Sequence, residues 1–271
     1  MPRDLQGSGP GVSLNGAAGG HIGDRPSVSA LTLSDVRAGY GLDDVLRGVN
    51  LVLGRGQVHG LVGLNGSGKT TLLDTIAGLI APSAGTISLG GATLRRDDVA
   101  YLSTELYFYP RLTGREYLRV FGASRPRSTA SVDVDGWAEV FGVPLDGIVD
   151  EYSAGMRRKL ALIAIVTLHR PVLLLDEPAN ALDLESNALL WDLLRAVAAE
   201  GTIVLVTSHI LDSLAACDRV HRLAEGKIAD SYAPDEFPLL VEHLMTHDLR
   251  ERRAALDTLA RDIGRSAART P

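Results

Sequence analysis

The chain of 271 residues has a single cysteine, Cys217, which excludes an intramolecular disulfide and suits a reducing compartment. Cys217 lies in the apolar stretch ILDSLAACDRV, where a small buried thiol is the expected role. Positive charge is not in excess. Against 33 Asp and Glu stand 27 Lys and Arg, a net charge of −6, so nucleic acid is not an expected partner. Local basic clusters such as Arg157–Arg158–Lys159 are candidate contact points. Long apolar runs are missing too: the longest, LALIAIVTL at 160–168, is about half of what a membrane-spanning helix needs. The opening MPRDLQGSGP has no apolar core of the signal-peptide kind. The expectation is a soluble chain that stays where it is made, with any membrane role arriving through a partner.

What is present is an alternation of strands and helices. Residues 1–27 hold seven of the 29 glycines and few large apolar groups, too little to offset the ordering entropy of a fold, and are expected to be disordered. LTLSDVRAGY and VLRGVNLVL read as two strands joined around Gly41–Asp44. VHGLVGL, NGSGK and TTLLDTIAGLI then read as strand, loop and helix, followed by the strands TISLGG and VAYLS. Residues 105–168 read as mostly helical, with loops at ASRPRS and GVPLDG. VLLLD (172–176) and TIVLVTS are apolar runs of the kind that form parallel strands covered on both faces, with the helix ALLWDLLRAVAAEG between them. RVHRLAEGKIADSY predicts a hairpin turning at Glu225–Gly226, and the tail 235–271 carries leucines at helical spacing. The predicted class is α/β with a mainly parallel sheet, an N-terminal antiparallel β subdomain and a helical insert.

GLNGSGKT (63–70) fits G-x-x-x-x-G-K-[ST] after a predicted strand and before a predicted helix. Gly63, Gly66 and Gly68 allow a backbone whose N–H groups turn inward as an anion nest at the helix's positive end. Lys69 adds a point charge for the β- and γ-phosphates, and Thr70 a hydroxyl for Mg²⁺. VLLLDEP sets Asp176 and Glu177 at the carboxyl end of a buried strand, where ligands of open α/β sheets bind. There Asp176 is expected to hold Mg²⁺ through a coordinated water, and Glu177 to polarise an attacking water. His209 closes the next buried strand and could reach the γ-phosphate. Ser153 opens a helix that begins YSAGMRRK; on capping alone this is a surface helix with a polar start.

Together, over roughly residues 30–233, these stretches resemble the ATP-binding subunit of an ABC transporter, of the single-cassette bacterial exporter kind. GLNGSGKT resembles the Walker A loop, VLLLDEP Walker B, YSAGM the family signature and NALD (180–183) the D-loop. His209 falls at the switch histidine, and Tyr40, 29 residues before Lys69, where the family stacks an aromatic on adenine. The resemblance implies the P-loop NTPase core of an ABC ATPase, with a domain at 28–234, a helical subdomain at about 105–168 and a helical tail at 235–271. It implies hydrolysis of ATP with Mg²⁺, catalysed by Glu177 and His209, with Thr70 and Asp176 at the metal. Leu64, Asn65, Ser67 and Thr71 complete the nucleotide-binding loop. Ser153, Ala154, Gly155, Met156 and Asp183 are expected to serve the ATP of an opposite subunit in a head-to-tail dimer. The implied partners are a second cassette and an integral membrane permease, and the implied location is cytoplasmic, peripheral on the inner face of the membrane. Two positions depart from the family pattern. Thr104 stands where Gln is usual, which puts a metal contact and the link to the membrane subunit in question, and the signature has Tyr152, Ala154 and Met156 for Leu, Gly and Gln. A ribosome- or DNA-associated ABC ATPase fits less well, because 83 residues separate Lys69 from Ser153 and there is one cassette. A small-molecule P-loop kinase leaves the signature, D-loop and His209 unexplained. The aromatic stretch LYFYPRLTGREYL suits either a docking surface or core packing.

Overall fold

A computed structural model describes residues 30–41, 43–124, 132–208 and 211–244. The expectations for residues 1–27, for His209, for the ASRPRS loop beyond Ser124 and for the tail from residue 245 lie outside the described residues.

Strands β1 (Ala30–Tyr40) and β2 (Asp43–Gly54) pair antiparallel. Their buried residues are Leu31, Leu33, Val36 and Ala38 on one strand and Leu46, Val49, Leu51 and Leu53 on the other. Simple alternation breaks once in each, between Leu33 and Val36 and between Leu46 and Val49. An extra residue enters each strand there, with Asp35 at φ 48° and Gly48 at φ 100°. The bulges keep both apolar sets on one face. A Cβ on Gly48 would stand 2.5 Å from Asp35 Oδ1, so the bulge of β2 requires glycine.

Next come β3 (Val58–Val62), α1 (Lys69–Ile76), β4 (Ala84–Leu89) and β5 (Ala92–Thr93). The first sheet is ordered β2-β1-β4-β5 and is antiparallel. β6 (Val99–Leu102), β7 (Val172–Leu175), β8 (Ile203–Thr207), β9 (Arg219–Ala224) and β10 (Lys227–Tyr232) complete a second sheet ordered β10-β9-β3-β8-β7-β6. In it only β10 runs antiparallel to its neighbour. The β9–β10 turn falls at Glu225 and Gly226, both at positive φ, as a two-residue hairpin of this twist needs.

Every residue of β3, β7 and β8 is buried because this sheet is a middle layer. Leu173, Leu175, Val204 and Val206 face a core built with α4 (Ala154–Val166) and α5 (Leu184–Ala199). Val172, Leu174, Ile203 and Leu205 face the other way, onto Leu72, Leu73 and Ile76 of α1 and the first sheet. At about 1.5–3 kcal/mol per buried side chain, these eight stabilise the layer by on the order of 12–24 kcal/mol. Both faces are apolar, so the strand's polar end sets its register: a slip by one residue would draw the Asp176 carboxylate between the layers.

The stretch between β6 and β7 holds α2 (Gly114–Gly122) and α3 (Val134–Phe141) before α4. Residues 105–113 are not helical, against the sequence expectation. Pro110 and Arg111, the latter at φ 64°, interrupt the chain, and α2 begins only where Thr113 and Glu116 form a reciprocal capping box. The aromatic stretch divides between its two readings. Tyr107 and Tyr109 are exposed, whereas Phe108 packs against Tyr117 and Tyr117 against Phe121 as tilted ring pairs, each at 4.7 Å between centroids. Short helices α6 (Leu211–Leu214) and α7 (Phe237–His243) follow β8 and β10.

β3, which delivers the glycine loop, is tied to β9 and β10 by two buried histidines. His59 Nε2 lies 3.3 Å from the Gly54 carbonyl, His59 Nδ1 lies 3.1 Å from His221 Nε2, and His221 Nδ1 lies 2.7 Å from Ser231 Oγ. A carbonyl can only accept, so His59 carries its proton on Nε2 when neutral. Its Nδ1 then accepts from His221 Nε2–H, and His221 Nδ1 accepts from the Ser231 hydroxyl. Burial pushes the His221 pKa down to about 3, helped by repulsion from His59 and Arg219. Burial also lowers that of His59, against the opposing bond to Gly54. In the unfolded chain both recover the ordinary value of 6.5. The unfolded state therefore binds more protons below that pH, and the contribution of this pair is complete above about pH 6.5 and declines as the pH falls. Between pH 6.5 and 5, His221 alone is expected to cost about 2 kcal/mol of stability. Urea unfolding midpoints measured at both pH values should drop for the wild type and drop less for His221→Gln; parallel profiles would contradict the neutral pair.

Candidate active site

The site is assembled at the carboxyl ends of β3, β7 and β8, which lie side by side as β3-β8-β7. Leaving β3, the chain turns through Gly66 and Gly68 at φ 83° and 104°, and Gly68 begins α1 without a side-chain cap. A Cβ on Gly63 would stand 2.3 Å from the Leu223 carbonyl oxygen and 2.7 Å from Ser67 Oγ, so the loop closes only around glycine. Asn65 and Gly66 are exposed at the tip, Leu64 is half-buried, and Thr71 is buried in the first turn of α1. Lys69 lies across the loop and donates from Nζ to the Gly63 and Leu64 carbonyls at 2.8 and 3.2 Å. Burial lowers its pKa, while the Glu177 and Asp176 carboxylates oppose that. An ammonium whose hydrogen bonds among the described residues go to two carbonyls can exchange them for phosphate oxygens. Ser67 Oγ is buried and has no hydrogen-bond partner among the described residues. A nest of glycines, an ammonium and an unsatisfied hydroxyl fit a polyphosphate.

Opposite the loop, Asp176 is 2% exposed. Its Oδ2 accepts from Thr70 Oγ1 at 2.9 Å and its Oδ1 from Thr207 Oγ1 at 2.6 Å. The two residues expected at Mg²⁺ are thus within hydrogen-bond reach, and a hard oxygen pair of this kind fits a cation that keeps most of its waters. Glu177 follows at φ 50°, a left-handed backbone that a side-chain-bearing residue adopts at a cost of about 1–2 kcal/mol. Its N–H donates to Thr207 Oγ1 at 2.9 Å. Thr207 therefore clamps both acidic residues, a role that sequence reading missed, although a hydroxyl ending the apolar run IVLV was visible.

Tyr40, 60% exposed at the end of β1, reaches Asp74 of α1 with its hydroxyl at 3.5 Å. Burial raises the Asp74 pKa. Between the β1–β2 hairpin and the loop lies a cleft of 810 Å³ lined by Asp43, Asp44, Val45, Arg47, Gly66 and Ser67 among others.

The signature residues open α4. Ser153 caps α4, accepting from Met156 N at 3.2 Å, and Ser153 and Ala154 are exposed. Gly155 meets the D-loop: a Cβ there would stand 2.8 Å from the Ala181 carbonyl oxygen. Asp183 caps α5 by accepting from Ser186 N at 2.8 Å and lies 3.4 Å from Lys159 Nζ. The Ser186 bonds first, then Lys159, hold its pKa down at about 2. Thr104 is exposed, next to Ser103, whose hydroxyl donates to the Glu105 carbonyl at 2.5 Å.

The basic triplet is corrected by the structure. Arg158 is 3% exposed and directs its guanidinium at backbone carbonyls inside the chain. Arg157 donates to the Asp150 and Val149 carbonyls, and Lys159 pairs with Asp183. These residues fasten loops and do not form a contact patch. Cys217 is buried and its thiol is pushed up to about 12, as expected of an inert core group. No helix among the described residues is long and apolar enough to cross a membrane.

Comparison with known proteins agrees with this geometry. A family profile described as ABC transporter matches residues 46–180. The daunorubicin resistance ATP-binding protein DrrA3 of Streptomyces coeruleorubidus is 35% identical over 225 residues, 77% of this chain and 69% of that protein. A Nod factor export ATP-binding protein I of Burkholderia orbicola is 34% identical over 219 residues, 77% of this chain and 72% of that one. Among solved structures, an ATP-binding subunit of an ABC transporter superposes with a TM-score of 0.70 at 27% identity, covering 77% of this chain and 91% of that one. A dimeric ATP-binding cassette in a post-hydrolysis state with ADP and Pi shares the fold at a TM-score of 0.67 and 20% identity, over 75% of this chain and 98% of its own. The chain belongs to the ABC transporter family, as an ATP-binding subunit with ATPase activity.

Proposed function

We propose that this subunit powers export through a separate integral membrane permease by closing, with a second cassette, around two ATP molecules. The observation that carries the reading is the Thr70–Asp176 hydrogen bond, which joins the start of α1 to the end of β7 where Glu177 emerges. The names of its relatives, a daunorubicin resistance protein and Nod factor export proteins, support export as the direction. In this reading Tyr40 stacks on the adenine, and the loop of Gly63, Leu64, Asn65, Gly66, Ser67, Gly68, Lys69, Thr70 and Thr71 holds the phosphates. Lys69 leaves the Gly63 and Leu64 carbonyls for the β- and γ-phosphate oxygens. Thr70 and Asp176 would hold Mg²⁺, which when bound offsets the negative charge of the triphosphate. Glu177 accepts a proton from the water that attacks the γ-phosphorus, ADP leaves with the β-phosphate oxygen, and inorganic phosphate forms. His209 fixes that water.

Ser153, Ala154, Gly155, Met156 and Asp183 serve the ATP of the opposite protomer. Ser153 and the start of α4 supply donors to a γ-phosphate, as helix N-termini do for anions. Charge on the nucleotide then holds two protomers together, and hydrolysis weakens that hold, so the two states differ in affinity. The cassette unit is assigned to 28–234, with the helices of its subdomain, α2, α3 and α4, between residues 114 and 166. With the permease as anchor, the subunit is peripheral on the cytoplasmic face of the membrane. The exposed Tyr107 and Tyr109 lie on the helical side that would receive it.

Glu177→Gln keeps the site's shape and removes the base. Steady-state hydrolysis is expected to fall at least about 100-fold, with ATP binding retained and a dimer appearing on addition of ATP in light scattering. Turnover at the wild-type rate would remove Glu177 from this role. Thr207→Val strips both acidic residues of their clamp. It is expected to lower stability by about 1–3 kcal/mol in urea titrations and to slow hydrolysis by about 10-fold, a rate loss of roughly 1.4 kcal/mol. An unchanged rate would mean that Asp176 is oriented by Thr70 alone.

A further inference from the structure

The side chain of Arg158 fastens the signature helix α4 to the Asp176–Pro178 turn of its own chain. Arg158 Nε donates to the Pro178 carbonyl at 3.2 Å, and Nη1 donates to the Ser103 carbonyl at 2.8 Å. Nη2 donates to the Asp176 and Glu177 carbonyls at 2.6 and 2.7 Å. The guanidinium is buried, and burial lowers its pKa to about 10 although Asp176 and Glu177 oppose this. A buried cation is ordinarily paired with a carboxylate side chain. The hydrogen bonds of this one go to four main-chain oxygens: those of Asp176, Glu177 and Pro178, around the left-handed backbone of Glu177 at φ 50°, and that of Ser103. A planar fork can reach three consecutive carbonyls and a fourth on another segment, whereas an ammonium is a single point.

The three segments so joined have separate tasks in the sandwich on which this inference rests. Asp176–Pro178 serves the chain's own ATP, the start of α4 serves its partner's ATP, and Ser103 precedes Thr104, where the family's usual Gln is missing. Thr104 is exposed, and the Ser103 carbonyl is the atom of that loop that Arg158 reaches. We propose that Arg158 is a positioning residue that sets the Glu177 backbone in one ATP site and the angle of the signature helix offered to the other, so that the two sites are coupled through its guanidinium. Gly155 against the Ala181 carbonyl and Lys159 against Asp183 run beside it, on the same two elements.

Arg158→Lys keeps the charge and removes the fork. Expected is a kcat for ATP hydrolysis at least 10-fold lower with KM for ATP within twofold of wild type, because Lys69 and its loop are untouched. In a Glu177→Gln background, the same change should raise at least fivefold the ATP concentration needed to form the dimer, read by light scattering. The parent Glu177→Gln serves as the control: if it does not dimerise, the sandwich itself fails, whereas dimerisation of the parent and of the double variant at equal ATP sinks the link alone. A wild-type kcat in Arg158→Lys would overturn the positioning role. So would an equal loss in kcat and gain in KM, which a general loosening would give. If Arg158→Lys loses its near-ultraviolet circular dichroism, Arg158→Gln is measured in the same way. Loss of the folded signal in both assigns the residue to stability and also overturns the proposal.

Discussion

A carboxylate at the end of an apolar strand organises this molecule. Asp176 follows four buried residues of β7 and is itself 2% exposed, so its charge has to be met within a few ångströms. An unpaired carboxylate in such a place costs several kcal/mol, and in practice is not found. Here Thr70 reaches it from α1 and Thr207 from β8, while Lys69 contributes an opposite charge nearby. Three segments far apart in the chain are thereby held at one point. The same groups that neutralise Asp176 are those that a triphosphate and its cation would engage, so the resting site is held by interactions that ligand binding can take over.

The second organising charge is positive and lies behind the first. Arg158 meets the backbone where Asp176 meets side chains, and between them the Asp176–Pro178 turn is fixed from both sides. This explains how Glu177 keeps a left-handed backbone without being glycine. It also explains why the signature helix, whose tip is exposed, is not an independent element. Its first two turns are packed on the 180–183 loop at Gly155, paired to it at Lys159 and locked to the Asp176–Pro178 turn at Arg158.

Much of this was legible beforehand. The glycine loop, the apolar strand ending in Asp-Glu, the capped start of α4 and the hairpin at Glu225–Gly226 are local patterns with local causes, and the described residues place each within a residue or two of its expected position. The helical reading of 105–113 failed because apolar and aromatic spacing there is set by packing of Phe108 under Tyr117, not by a helix period. Arg158 was read as part of an exposed basic triplet, since composition cannot distinguish an arginine in water from one turned inward onto carbonyls. Thr207 looked like any strand residue.

Short-range chemistry, then, was decided in the sequence itself. Glycines permit a turn only they can adopt, an apolar run ended by acids makes a strand with one charged tip, and a serine before a helix caps it. Which distant groups would satisfy the buried charges was decided only by the tertiary structure. That depends on strand order: β8 lies between β3 and β7, which brings Thr207 to Asp176 across 31 residues, and the packing of α4 brings Arg158 onto the same turn. Hydrogen bonds to buried charges are strong and directional, but nothing in the spacing of residues along a chain encodes their long-range partners.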